Sequence, residues 1–477
     1  MSALLINYDG SVSESTPLLE SNKRFFKLTA EVPYTLFLFS FALTGNVQYS
    51  LLLQRTCKVD LNYTDIKCDL LYSQNKTDEA KELECEVEAK TTILIMTLSV
   101  ICGIIPALIS VFLGSWSDRH GRKPLIVWPL FGQFLTAVLS VVYCAVPTLG
   151  LWSFLYCAIP NAVLGGCTTW TLGNNLLITD ITKENERSLR LAILQGSGYV
   201  GLLLGNLAAT YMYDAVGYVY TFAISAALYG VCYVYTFFLV EETLATPQEI
   251  TLKGLVDLGL LKEMKEVWCK ERSRRIAYIL ILLILTYAIT MVNFSGLNNI
   301  DYLFTRQKFQ WLLKEYSIFS TVYIVIIITG MFFGMTMFQK CCNLSDGALL
   351  IMAYLSSIAE NVGKSLAVKP WQMYLAASMS MLGYLSPTII RSQVSKVVPK
   401  EEIGRIYSLL SCLESVSPVV APVVFNFIYF HTLVWFPGAV YATAAGLFWV
   451  CLVFAITAEI LIRKKPYVPS GYTIIEK

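Results

Sequence analysis

Three stretches of this chain, Thr92 to Ser115, Tyr218 to Val240 and Tyr316 to Phe338, contain no charged residue. Each is longer than the roughly 18 residues that mark a membrane-crossing helix. A helix of that length with no polar face has no place on the surface of a soluble domain. Composition agrees: charged residues make up 15% of the chain, against about 25% in soluble proteins, and the mean hydropathy is +0.58. Run length therefore excludes a large soluble enzyme. The net charge of +2 is not massed on any one segment, so nothing points to a nucleic-acid partner.

Hydropathy places twelve spans at roughly 30–53, 92–116, 124–146, 150–179, 190–213, 217–240, 276–297, 316–338, 347–367, 371–394, 406–430 and 435–461. The fold class expected is an all-α membrane protein of about twelve helices in two six-helix halves. Residues 1–28 form one tail, 29–240 the first half, 241–275 a central loop, 276–462 the second half and 463–477 a second tail. The first span follows a polar stretch and is too long for a signal-peptide core, so no cleavable leader is expected. If both tails and the even-numbered connections are cytosolic, that side collects most of the 36 Lys and Arg residues. This satisfies the positive-inside rule, whereas the reverse orientation would translocate them.

The loop at 54–91 then lies on the lumenal or outer side. It carries two glycosylation sequons, at Asn62 and Asn75, and three cysteines, Cys57, Cys68 and Cys85. A disulfide fits that oxidising side, with its pairing open. The remaining cysteines read as small buried hydrophobes, with no metal or haem spacing among them, and no cofactor is expected.

Between the second and third spans the sequence reads Gly114-Ser-Trp-Ser-Asp118-Arg-His-Gly121-Arg122-Lys-Pro. Gly121 permits a tight reversal, and Asp118 and Arg122 can pair or bond neighbouring helix ends. Such a latch would hold the two halves together on one side of the membrane. Lys183-Glu184 followed by Arg187, and Lys400-Glu401 followed by Arg405, open the fifth and eleventh spans alike, as a six-plus-six repeat would leave them.

This loop resembles the signature of the major-facilitator superfamily. Arg391-x-x-x-Ser395-Lys396-x-Val398 with Glu402-x-Gly404 resembles the proton-coupled folate transporter family. The same family is matched by Ala30-Glu-Val-Pro33, Ser188-Leu-Arg-Leu-Ala192, Phe425-Asn426 and Trp435-Phe-Pro-Gly438, and its lysosomal branch is the nearer likeness. The resemblance implies a secondary transporter. The folate-carrying member has a Glu in its fifth span and a His in its seventh that are associated with proton coupling. The corresponding positions here are Gln195 and Asn293, neither of which can take up a proton near neutral pH.

Charged residues inside the spans are therefore the coupling candidates, because burying them in a bilayer is costly. Arg391 could hold a substrate carboxylate or phosphate, or snorkel to the interface. Glu414, among Ser411, Ser415 and Ser417, is a candidate proton site or a structural partner of Arg391, and Glu360 comes next. Asn46, Gln48, Asn174, Asn175 and Asn206 read mainly as helix-packing residues.

Glu14-x-x-x-Leu18-Leu19 in the first tail and Gly471-Tyr472-x-x-Ile475 in the last fit adaptor-read sorting signals. They point to clathrin adaptors as partners and to the lysosomal membrane. The function expected is transport of a small organic anion, folate-like, nucleotide-like or peptide-like, with protons. The alternative is a receptor or scaffold that kept a transporter fold. An enzyme is not expected, since the chain has two His residues, both at loops, and no Gly-x-x-x-x-Gly-Lys-Ser/Thr nucleotide loop.

Overall fold

The structure of the chain is a computed structural model. It describes residues 30–69, 78–184, 186–244, 274–311, 313–342, 344–399, 402–432 and 435–463. The sequon Asn75, the sorting residues Glu14, Leu18, Leu19, Tyr472 and Ile475, and residues 245–273 of the central loop lie outside the described residues.

The described chain is helical throughout. In order come α1 (Glu31–Arg55), α2 (Asp65–Asp69), α3 (Asp78–His120), α4 (Pro124–Ala145), α5 (Phe154–Val163), α6 (Gly166–Ile181) and α7 (Arg187–Leu239). The second half follows with α8 (Arg274–Phe309), α9 (Leu313–Thr329), α10 (Asp346–Leu366), α11 (Pro370–Met379), α12 (Ser386–Val397), α13 (Ile403–Thr432) and α14 (Ala439–Arg463). Backbone groups inside a bilayer find no water, so intrahelical hydrogen bonding is the open solution for a chain this apolar.

Eleven described segments are long and apolar enough to cross a membrane. The twelfth, α10, has the length, but Asp346, Glu360 and Lys364 dilute its hydropathy.

The helix breaks fall where the sequence supplies them. Gly165 and Gly166, with φ of 100° and 61°, divide the fourth span into α5 and α6. Gly217, at φ 73°, kinks α7 between the fifth and sixth spans. Along α7, Gly201 and Gly205 let the helix approach α1 so closely that a Cβ on either would overlap backbone at Thr35 or Phe39. This is the small-residue contact by which membrane helices associate without a hydrophobic driving force.

One expected boundary is corrected. Residues 54–91 are not one open loop, since α3 begins at Asp78 and α2 lies before it. A disulfide joins Cys57 to Cys68, and both pack with Leu83, Val87 and Tyr63 into a small core. The side chain of Cys85 lies outside the described residues. Asn62 is exposed beside this core. The seventh span itself, Arg274–Asn298, falls where hydropathy put it, while its helix α8 continues to Phe309 and carries Asp301 into a packed environment.

Four of the core clusters each stay within one half. A fifth crosses between the halves, from Leu113, Leu125 and Leu176 to Leu283, Ile389 and Leu410. It lies toward the face where α1 begins and α14 ends, here called the basic face because Arg122, Lys123, Arg187 and Lys396 cluster there.

Candidate functional site

Arg391 sits on α12, where the short helix Ser386–Val397 turns it inward. It is 4% exposed and ion-pairs with Glu414 of α13. Glu414 lies eleven residues into its helix, about 16 Å along the axis at 1.5 Å per residue, deep within the span. Its side chain is nonetheless 31% accessible. One member of the pair is sealed and the other is partly exposed.

Neighbours frame the pair. The Tyr287 hydroxyl donates to Glu414 Oε2 at 3.4 Å, and its ring lies 5.4 Å beneath the Arg391 guanidinium. The Tyr407 hydroxyl donates to the Arg391 carbonyl at 2.9 Å and meets Thr179 of the first half at 3.2 Å. Tyr34 and Tyr199, also of the first half, lie within electrostatic range of Glu414. Beyond Tyr199, Tyr384 stacks on Phe294 with ring centroids 4.5 Å apart and planes inclined by 3°. The centre thus offers one cation, one partly exposed anion and flat aromatic faces.

Gln195 accepts from the Tyr34 hydroxyl at 3.1 Å and donates to Asn175 at 3.5 Å, which places it beside the centre as a neutral neighbour. Asn293 is fully buried on α8, and neither end of its amide has a partner within the described residues. Glu360 is not with them; it belongs to a separate buried group on α10.

The loop motif closes the basic face. Arg122 Nη1 lies 2.8 Å from Asp118 Oδ1, and Nε reaches Asp180 Oδ2 at 3.1 Å. The Asp118 carboxylate is pressed onto Gly404, where even a Cβ would overlap it, so the second half begins α13 against an anion from the first. A helix N-terminus favours that charge. Glu242 is a partner the sequence reading missed. Its carboxylate accepts from the Arg122 and Lys123 amides at 2.8 and 2.9 Å, capping α4, and it fills the space beside Gly121, whose φ is 107°.

A second closure lies in the matching loop of the other half. Asp346, at the start of α10, accepts from Ser188 at 3.0 Å across the halves. It also accepts from Ser392 at 3.0 Å and pairs with Lys396 at 2.7 Å. Arg187 donates to Ser395 Oγ at 2.8 Å beside it. The sequence signal was there: Ser117-Asp118 and Ser345-Asp346 occupy corresponding turns.

Burial pushes the Asp118 carboxyl up from 3.8 to about 6, against the downward pull of Arg122 and Arg405. Arg122 is itself held above its ordinary range: burial works against this, but Asp118 and Asp180 outweigh it. For Asp118 the folded value lies above the unfolded one. The folded protein therefore binds the extra proton between about pH 4 and 6, and stability from this group falls as pH rises through that window, then levels. Asp118→Asn should flatten that part of the profile in thermal denaturation of the detergent-solubilised protein. An unchanged slope would assign it to other groups.

Residues 35–422 match the family described as Major Facilitator Superfamily. The chain is 28% identical over 423 residues to the probable peptidoglycan muropeptide transporter SLC46 of Drosophila melanogaster, covering 86% of this chain and 81% of that protein. It is 25% identical over 441 residues to the lysosomal proton-coupled steroid conjugate and bile acid symporter SLC46A3 of Gallus gallus, covering 89% and 92%. The proton-coupled folate transporter of Rattus norvegicus is 24% identical over 365 residues, covering 76% and 78%. Among solved structures, the human organic anion transporter MFSD10 superposes with a TM-score of 0.69 at 16% identity, covering 90% of this chain and 98% of that one.

Proposed function

The chain belongs to the Major Facilitator Superfamily, a family of secondary transporters, and on that premise we propose that it moves a small organic anion across the lysosomal membrane together with protons. One observation carries the reading. A sealed arginine has as its counter-ion a glutamate that solvent can reach. A buried guanidinium needs an anion at all times. When Glu414 is protonated it ceases to be that anion, and a substrate carboxylate or sulfate takes its place on Arg391. When Glu414 ionises it reclaims Arg391 and the substrate leaves. Proton and anion therefore bind together and depart together, which is symport.

The acidic lumen drives this exchange outward to the cytosol. The closed basic face, with access remaining to Glu414, suits the stage at which the lumenal side loads the carrier. The relatives are described as carrying muropeptides, steroid conjugates, bile acids and folate. The Arg391 cation beside the Phe294–Tyr384 aromatic face supports a solute of the same broad kind, an anionic group on a ring-bearing body.

The sorting signals supply the test. Changing Leu18, Leu19 and Tyr472 to Ala together should move the protein to the cell surface. There an acidic medium should accelerate entry of an organic anion such as a bile acid conjugate into the cytosol. Retention in lysosomes would sink the address assigned to the tails. Surface residence with uptake indifferent to medium pH would sink proton-driven transport.

A further inference from the structure

Four helices of the second half converge on a buried group of charges that the exchange at Arg391 does not use. Lys364 and Glu360 lie one turn apart on α10 and are 1% and 4% exposed; Asp301, on α8, is 6% exposed. Lys364 Nζ stands 2.9 Å from Glu360 Oε1 and 3.3 Å from Asp301 Oδ2. Each carboxyl also receives one phenol. Tyr323 of α9 donates to Glu360, and Tyr441 of α14 donates to Asp301 at 2.6 Å. The ammonium lies 4.6 Å and 5.7 Å from the centroids of those same two rings.

The charges do not balance. Two carboxyls face one ammonium, and among the described residues no second cation comes within ion-pair distance of either acid. The other titratable groups facing the cluster are Tyr316 and Tyr384, and phenols are neutral in the physiological range. With every acid ionised, a sealed pocket would hold an uncompensated negative charge, which is costly where water is excluded. Two carboxyls coupled at one site relieve that cost when one of the two takes up a proton.

The cluster is also wired to the centre. The rings of Tyr323 and Tyr384 meet edge to face, with centroids 5.9 Å apart. Tyr384 in turn faces Tyr199 of the first half across the space between the halves. A phenol can accept a proton from one neighbour while giving its own to the next. A proton arriving at Tyr384 can thus be passed to Tyr323 and on to Glu360, leaving both phenols neutral and moving no electrons.

We propose that Asp301, Glu360 and Lys364 form a second proton-binding site, in which two carboxyls share one proton against one ammonium, and that Tyr323 and Tyr384 connect it to the central cavity. This rests on the transport reading only for the gradient that would load the site. The proton itself can be read without any substrate.

The experiment is infrared difference spectroscopy of the full chain in liposomes, titrated from about pH 8 to about pH 4 across the carboxyl range. The protonated-carboxyl signal should lose one carboxyl's worth in Glu360→Gln, and equally in Asp301→Asn. Either change leaves one acid against one ammonium, which needs no proton. Glu414→Gln should keep this component. Tyr323→Phe should also keep it while slowing its exchange with deuterium from the solvent. If one acid variant fails to fold, as judged by thermal denaturation, the other decides. A wild-type signal retained in the folded acid variants would overturn the proposal. Loss of acid-driven uptake with this signal intact would count against the transport reading alone.

Discussion

Arg391→Ala is expected to remove binding of the organic anion. Arg391 is 4% exposed and is the cation paired with Glu414 at the centre. A hydrogen bond to a charged group contributes about 1.5–3 kcal/mol, so its loss alone weakens binding by roughly 10- to 150-fold. The missing long-range attraction adds to that. The local backbone should survive, because Tyr407 holds the Arg391 carbonyl rather than its side chain. Glu414 would be left without its counter-ion but keeps access to solvent, which limits the damage to folding. Arg391→Lys separates charge from geometry. It keeps the cation and loses the planar fork, so affinity should fall between wild type and Ala. Tryptophan fluorescence or calorimetric titration with a bile acid conjugate measures this directly. Unchanged affinity in Arg391→Ala would remove the arginine from the site, whatever happened to transport.

Much of this centre could be read in advance because the membrane makes charge conspicuous. Arg391, Glu414 and Glu360 stood out as costly residues in apolar surroundings, and the motif around Asp118 had a recognisable spacing. What stayed hidden depended on distance along the chain. Glu242 meets the Arg122 amide across a separation of 120 residues, and no local pattern announces a carboxylate that caps another helix. Lys364 stands one turn from Glu360, a spacing visible in the sequence, yet its meaning depends on Asp301. Asp301 lies beyond the residue 297 at which hydropathy ends the seventh span, although the helix continues to Phe309. Hydropathy reports where lipid contact ends, and a helix can outlast it. The same effect hid the helical start of α3 at Asp78, whose acidic first turns read as loop. The Cys57–Cys68 pairing could not be chosen among three cysteines until the packing around Leu83 and Val87 was known.

Glu414→Gln should uncouple the carrier without stopping it. The amide keeps the size of the side chain and can still accept from Tyr287, so the centre should remain assembled. It cannot lose or gain a proton, and it cannot serve as the anion of Arg391. Two consequences follow from that one change. First, Arg391 is always available, so at neutral pH the organic anion should bind at least as tightly as in wild type, where the ionised Glu414 competes. Second, the proton no longer travels with the anion, so an imposed pH gradient should leave the rate and final level of uptake unchanged. Exchange of labelled for unlabelled anion across the proteoliposome membrane should continue, since it needs the carrier to reorient loaded and needs no net proton movement. The comparison to make is therefore counterflow against gradient-driven accumulation in the same vesicles. Loss of both would describe a damaged protein. Loss of accumulation alone, with affinity retained and its pH dependence flattened, is the expected result. If the variant still concentrates the anion when an acid gradient is applied, Glu414 does not couple transport to protons, and the buried group at Asp301, Glu360 and Lys364 becomes the site through which the gradient must act.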